Sequence, residues 1–231
     1  MEETKTSSHK KSHDEVLTEI GGFSRLAFRA CFILIPAKVS GDLIVILAAF
    51  YQLMPKFECK QADSNAWQTC TQKDFCENMG APAGVEYREN LSDPETLQNW
   101  VQQLSMQCSP KSEFGFLGTI IFLGWTISAL ITSRSSDLYG RKWVLIIIMV
   151  LQFAAITLMC LAKNYLTMAT ALFIMGACSS VRWTVAYVYL MEFLTEANIK
   201  LMGPVFNASA AVAFVIGAFT LQFLSKDTVV L

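Results

Sequence analysis

Five runs of predominantly apolar residues, at 28–54, 114–132, 143–161, 165–191 and 204–224, dictate the solvent in which this chain folds. A helix rises 1.5 Å per residue and the hydrocarbon core of a bilayer is roughly 30 Å thick, so about 20 such residues make one crossing. Each run meets or approaches that length. The runs are too long for barrel strands and show no inside/outside alternation, which leaves the helix, whose backbone satisfies itself away from water, as the spanning form. The expected fold class is all-α membrane, with five transmembrane helices. Composition agrees, since 53% of residues are hydrophobic and only 16% charged, a departure from the globular average toward the membrane class. A net charge of -1, with no basic stripe interleaved with aromatics, excludes nucleic acid as a partner. Residues 1–27 are polar and hold no signal-peptide core, so the first run is expected to remain in the mature protein.

Charge sets the orientation. Lys5, Lys10, Lys11 and Arg25 in the 1–27 tail, and Arg134, Arg141 and Lys142 in the 133–142 loop, belong on the cytoplasmic side by the positive-inside rule. The 55–113 loop then faces outward and the 192–203 loop inward. The outer loop carries Cys59, Cys70, Cys76 and Cys108, an even set in an oxidising compartment, which implies two disulfides with three possible pairings. No CxxC pair offers zinc spacing. Asn90-Leu91-Ser92 on the same side is a glycosylation sequon at Asn90, whereas Asn207-Ala208-Ser209 lies within the last span and is expected to stay unmodified. An oxidised, glycosylated loop places this multi-pass protein in the plasma membrane. Cys31, Cys160 and Cys178 read as small apolar fillers within spans, and His9 and His13 as residues of a solvated tail. No metal site and no cofactor is expected.

Three ions sit where lipid penalises them. Lys38 and Asp42 lie near the middle of the first span at i,i+4 spacing, hence on one helix face, and Arg182 lies just past the middle of the fourth. Lys38 and Asp42 either neutralise each other to lock packing or face a polar route. Arg182 keeps its proton and its planar fork suits carboxylates and phosphates, so it either pairs with Asp42 or meets a substrate. Two cations against one carboxylate favour an anionic or zwitterionic ligand. Pro36, Ser40 and Gly41 weaken the first helix and invite a kink, while Gly115, Gly118 and Gly124 offer close helix contact in the second. Trp125 either lines a cavity or packs. No nucleophile with its base, metal triad or carboxylate pair suggests an enzyme.

The turn Ser135–Trp143, SSDLYGRKW, contains Asp137, Gly140, Arg141 and Lys142 in the D-x-x-G-R-[KR] order of the loop signature of the major facilitator superfamily, between the second and third spans where that family has it. Ser133 and Leu138 stand where the family pattern has a glycine and a base. Gly176, Tyr189 and Glu192 in the fourth span resemble the family's glycine-to-Y-x-x-E pattern. DEVLTEIGGFSR before the first span, Pro36 within it, PKFEC after it and the cysteine-bearing loop resemble the organic cation, anion and carnitine transporter branch. The resemblance implies twelve helices in two halves that rock around a central site. It puts Lys38, Asp42 and Arg182 in the substrate cavity, and Asp137, Gly140, Arg141, Lys142 and Glu192 in a cytoplasmic latch. Five spans fall short of the six that the first half of such a fold holds. The expectation is an incomplete N-terminal half of the fold, a fragment or truncated form of an organic-ion carrier whose partners are membrane lipid, a small organic solute, and the missing second half or other membrane subunits. The alternative is a non-transporting membrane subunit derived from a half-carrier.

Overall fold

Among the described residues of the computed structural model, four helices are long and apolar enough to cross a membrane, in the stretches Lys111–Thr132, Arg141–Leu161, Tyr165–Met191 and Glu196–Phe223. The structure describes residues 15, 25–61, 66–78, 85–90, 96 and 99–224. His9, His13, the tail lysines and the sequon residues Leu91 and Ser92 lie outside them. The expected span 28–54 is instead helix α1, Arg25–Ile46, followed by a break at Leu47 and the short helix α2, Ala48–Tyr51. It falls outside the four because every 18-residue stretch of it holds at least three of the charged residues Arg25, Arg29, Lys38 and Asp42. The helix runs on through Pro36, Ser40 and Gly41 to Ile46.

Segment 55–113 is not all-helical, which corrects the all-α expectation. Strands β1 (Phe57–Gln61), β2 (Gln68–Cys70) and β3 (Val85–Glu89) form an antiparallel sheet in the order β2-β1-β3, with Phe57 opposite both Cys70 and Glu89. Phe57 stacks on Phe75 at 4.2 Å, and Phe75 meets the edge of Tyr87 at 5.9 Å, an apolar centre for the sheet. Phe75 sits on helix α3, Gln72–Asn78. Thr71 and Asp74 cap α3 reciprocally: the Asp74 N–H donates to Thr71 Oγ1, and Asp74 Oδ2 accepts from the Thr71 N–H at 3.2 Å and hydroxyl at 2.6 Å. Cys59 faces Cys70 and Cys76 faces Cys108 at disulfide distance, with Cα separations of 5.9 and 5.5 Å.

The same segment is fastened to the bundle. Asn99 caps helix α4, Trp100–Gln103, and donates from Nδ2 to the carbonyls of Phe50 and Leu53 at the end of the first span. Gln103 Nε2 donates to the carbonyls of Met159 and Ala162, and Trp100 packs on Tyr51 at 4.8 Å between ring centroids. These bonds give donors to the Leu53 and Ala162 carbonyls near helix ends and add to the backbone bonds that the Phe50 and Met159 carbonyls already accept.

Helix α5 covers Lys111–Tyr139 and α6 covers Arg141–Leu161, so residues 133–142, expected as a loop, are helical except for Gly140. Gly140 ends one helix and begins the next at φ 86°, a left-handed conformation in which any side chain is strained. Helix α7 (Tyr165–Val181), a π turn (Arg182–Ala186) and α8 (Tyr187–Met191) make one continuous span. Helix α9, Glu196–Phe219, starts within the expected 192–203 loop and ends in a second π turn, Thr220–Leu224. The α7 span is the centre of the fold: 61% of its apolar window is buried, against 17–22% for the other three. It seats against α5 by reciprocal glycine contacts, because a Cβ at Gly124 would come within 2.2 Å of the Phe173 carbonyl oxygen and one at Gly176 within 2.0 Å of that of Ile121. Gly115 and Gly118 face open space instead, so the close contact expected of all three glycines falls to Gly124 alone. Phe122, Leu130, Val150, Phe153 and Val215 are exposed on the outer faces, as a lipid solvent permits.

Candidate functional site

Lys38, Asp42 and Arg182 come together between α1 and the α7 span, each at most 2% exposed. Lys38 Nζ lies 2.6 Å from Asp42 Oδ2, the i,i+4 pair that the sequence spacing anticipated. The other carboxylate oxygen, Oδ1, accepts from the Trp183 indole N–H at 2.7 Å. Lys38 Nζ also stands over the Trp183 ring, 3.8 Å from its centroid, and 5.1 Å from that of Phe206 on α9. The ammonium therefore occupies a box with one carboxylate wall and two aromatic walls.

Arg182 does not take Asp42. It donates from Nη1 to the Ala37 carbonyl at 2.9 Å and from Nη2 to Ser179 Oγ at 3.4 Å, while its Nε is buried without a partner. Among the described residues no carboxylate ion-pairs with it. The Nη2 end of its guanidinium lies against Gly41, where a Cβ would fall 1.4 Å from Nη2. Gly41 thus serves as a cradle for Arg182. The π turn begins at Arg182, and its wider winding brings both Arg182 and Trp183 toward α1, though neighbours on an α-helix diverge by about 100°.

Trp183 and Phe206 are the cluster residues that sequence reasoning missed, and Gly41 was read there only as a weak point of the helix. Trp183 was legible in principle, since it follows Arg182, which the sequence places deep within a span. Phe206 was not, because its approach depends on how α9 leans on α1. Trp125 packs toward Trp183 at 6.3 Å between ring centroids.

At the other end of the bundle Arg141 ion-pairs with Glu192, just beyond α8, and lies 3.6 Å from Asp137 one turn before it. A recess of about 380 Å³ opens there, lined among others by Asp137, Gly140, Arg141, Lys142 and Glu192, and one of about 200 Å³ lies deeper against Ser136 and Thr184. Lys142 is exposed beside the recess and forms no ion pair among the described residues. Asn90 sits past β3, its N–H on the Lys56 carbonyl. The charged residues of the cluster line neither recess.

Residues 88–228 match the sequence profile described as Major Facilitator Superfamily. Among curated proteins, the chain is similar to Solute carrier family 22 member 2 of Rattus norvegicus, 22% identical over 121 residues that make up 52% of this chain and 21% of that protein. The protein of the same name from Mus musculus matches with the same identity and coverage. An uncharacterized protein of Caenorhabditis elegans is 24% identical over 168 residues, 71% of this chain and 32% of its own length. The chain spans about a fifth to a third of the length of these relatives.

Proposed function

The chain belongs to the Major Facilitator Superfamily, and from that premise we propose that it is part of a carrier that moves a small organic ion across the plasma membrane by alternating access. It is a multi-pass membrane protein with the helices of a transporter family. In this reading Lys38, Asp42 and Arg182 form the polar heart of the solute site, and segment 55–113, with Cys59, Cys70, Cys76, Cys108 and the sequon at Asn90, faces outward. Asp137, Gly140, Arg141, Lys142 and Glu192 form the inward latch, whose ion pairs part as the halves of the carrier rock. The opposing wall of the site comes from the second half of the carrier or from other membrane subunits.

One observation carries the proposal. A guanidinium that is 2% exposed and has no carboxylate partner among the described residues costs several kcal/mol of desolvation that Ala37 and Ser179 offset only in part. Function explains its retention where stability does not. The test is uptake of labelled organic anions and cations by the full-length carrier in vesicles, comparing Arg182→Ala and Asp42→Asn with the unaltered protein. Loss of uptake in both, at equal surface expression, is expected. Uptake unchanged in both removes the assignment.

A further inference from the structure

Lys38 fills the position that a cationic group of a solute would need. Its ammonium has a carboxylate at 2.6 Å, an indole face at 3.8 Å and a phenyl face at 5.1 Å, and its side chain is sealed from solvent. Carboxylate and aromatic faces around one point are the chemistry that recognises alkylammonium ions. A lysine kept there only to neutralise Asp42 needs the carboxylate and not the two rings.

We propose that Lys38 is a tethered occupant of a solute-ammonium subsite, and that the solute enters by exchange, its own ammonium replacing that of Lys38 against Asp42, Trp183 and Phe206. The inference rests on the solute-site reading above and deepens it. The charge balance narrows the class of solute. The cluster holds two cations and one carboxylate, so a bare cation that joins it leaves three positive groups beside one negative one. A solute that also bears a carboxylate keeps the balance: its ammonium takes the box, and its carboxylate faces the displaced Lys38 and Arg182, whose Nε has no partner and whose guanidinium touches Ala37 and Gly41, each the residue just before Lys38 or Asp42. When no solute is bound, Lys38 returns and keeps Asp42 compensated. The emptied site is then never an uncompensated carboxylate in a dry interior.

Exchange makes Lys38 chemically visible. The full chain in detergent is treated with acetic anhydride at constant ionic strength, and acetylation of Lys38 is read by peptide mass spectrometry with glycine betaine, tetramethylammonium chloride or sodium acetate as probe. Saturable acetylation at least fivefold above background with glycine betaine, less with tetramethylammonium and none with acetate is the expected result. A Lys38 that stays protected with both ammonium probes, or reacts equally with acetate, overturns the exchange. In Lys38→Met no tethered ammonium competes for the box, and glycine betaine is expected to bind about tenfold more tightly than to the unaltered chain, a gain that Trp183→Leu added to it abolishes. Equal binding by Lys38→Met overturns the proposal, and if that variant fails to fold, the acetylation of the unaltered chain decides. The two readings separate cleanly. Uptake that needs Asp42 and Arg182, with Lys38 always protected, keeps the solute site and removes the exchange; a reactive Lys38 with uptake indifferent to both keeps the exchange and removes the solute site.

Discussion

Replacing Gly176 by alanine tests whether the α5–α7 contact holds the bundle together. The added Cβ lies 2.0 Å from the Ile121 carbonyl oxygen, 1.4 Å short of the 3.4 Å at which ordinary contact begins, and its next neighbours, 2.8 and 3.1 Å away, are also Ile121 backbone. Backbone cannot swing aside as a side-chain tip can, so the helices must part by about an ångström along the length that Gly124 and Gly176 share. Overpacking of this kind costs about 1–3 kcal/mol, and the better helix propensity of alanine returns less than about 1 kcal/mol. The net loss is expected near 2 kcal/mol, or roughly 4–8 °C in Tm for a chain of this size. Gly115→Ala and Gly118→Ala are the internal control, because nothing lies within 4 Å of either added Cβ; they are expected to be neutral or slightly stabilising. The assay is thermal unfolding in one detergent, followed by circular dichroism. A Gly176→Ala Tm equal to that of the unaltered chain, or a Gly118→Ala loss as large, refutes the reasoning, since lipid-exposed and interlocked glycines would then be energetically alike.

Breaking Cys76–Cys108 is expected to destabilise more than breaking Cys59–Cys70, because the bridges close segments of 32 and 11 residues. Loop-closure entropy gives about 4 against about 3 kcal/mol, and urea unfolding of the two Cys→Ser variants measures the order. Glu192→Gln and Asp137→Asn are expected to change stability by no more than about 1 kcal/mol each, since both carboxylates are well exposed, while lowering uptake; denaturation and transport read on the same vesicles distinguish a moving latch from a structural pair. The hydrogen bonds from Thr71 hold the Asp74 carboxyl below its ordinary range, so its capping of α3 is complete above the ordinary carboxylate pKa and is lost as pH falls through the lowered value. Pepsin cleavage within residues 72–78 is expected to rise at that lower pH, and Asp74→Asn to abolish the dependence.

Much of the membrane architecture was legible because it depends on runs of residues, whereas its boundaries depend on single contacts. Apolar length located α5, α6, α7 and α9, yet it also assigned residues 133–142 to a loop, because Asp137, Arg141 and Lys142 make that stretch polar. Polarity ends a span in the membrane without ending the helix, and the break comes only at Gly140, where φ turns positive. Even cysteine number in segment 55–113 indicated pairing but not partners, and the β1–β2 register that sets Cys70 near Cys59 is a property of the sheet. The i,i+4 spacing of Lys38 and Asp42 is local and could be read directly. What each faces is not local: Phe206 lies 168 positions from Lys38 along the sequence, and no window contains both.

The two halves of the charge problem in this interior have opposite solutions, and on the proposed function that contrast is what would set the cluster apart from packing. Asp42 is fully provided for, with Lys38 on one oxygen and Trp183 on the other, so a purely structural cluster would be complete with these three side chains. Arg182 adds a second cation that the pair does not need, at a depth where lipid and protein both penalise it. The chain accommodates it at further cost, with a glycine inside α1 on whose bare backbone the guanidinium rests and a π turn that re-aims the residues after Val181. An interior selected for stability alone would be expected to lose Arg182 first, because an apolar residue of similar volume there removes the unpartnered Nε along with the charge. Arg182→Met is therefore expected to raise Tm, or leave it unchanged, while abolishing uptake. A marked fall in Tm would show that the guanidinium holds α1 to α7 and would return the cluster to packing.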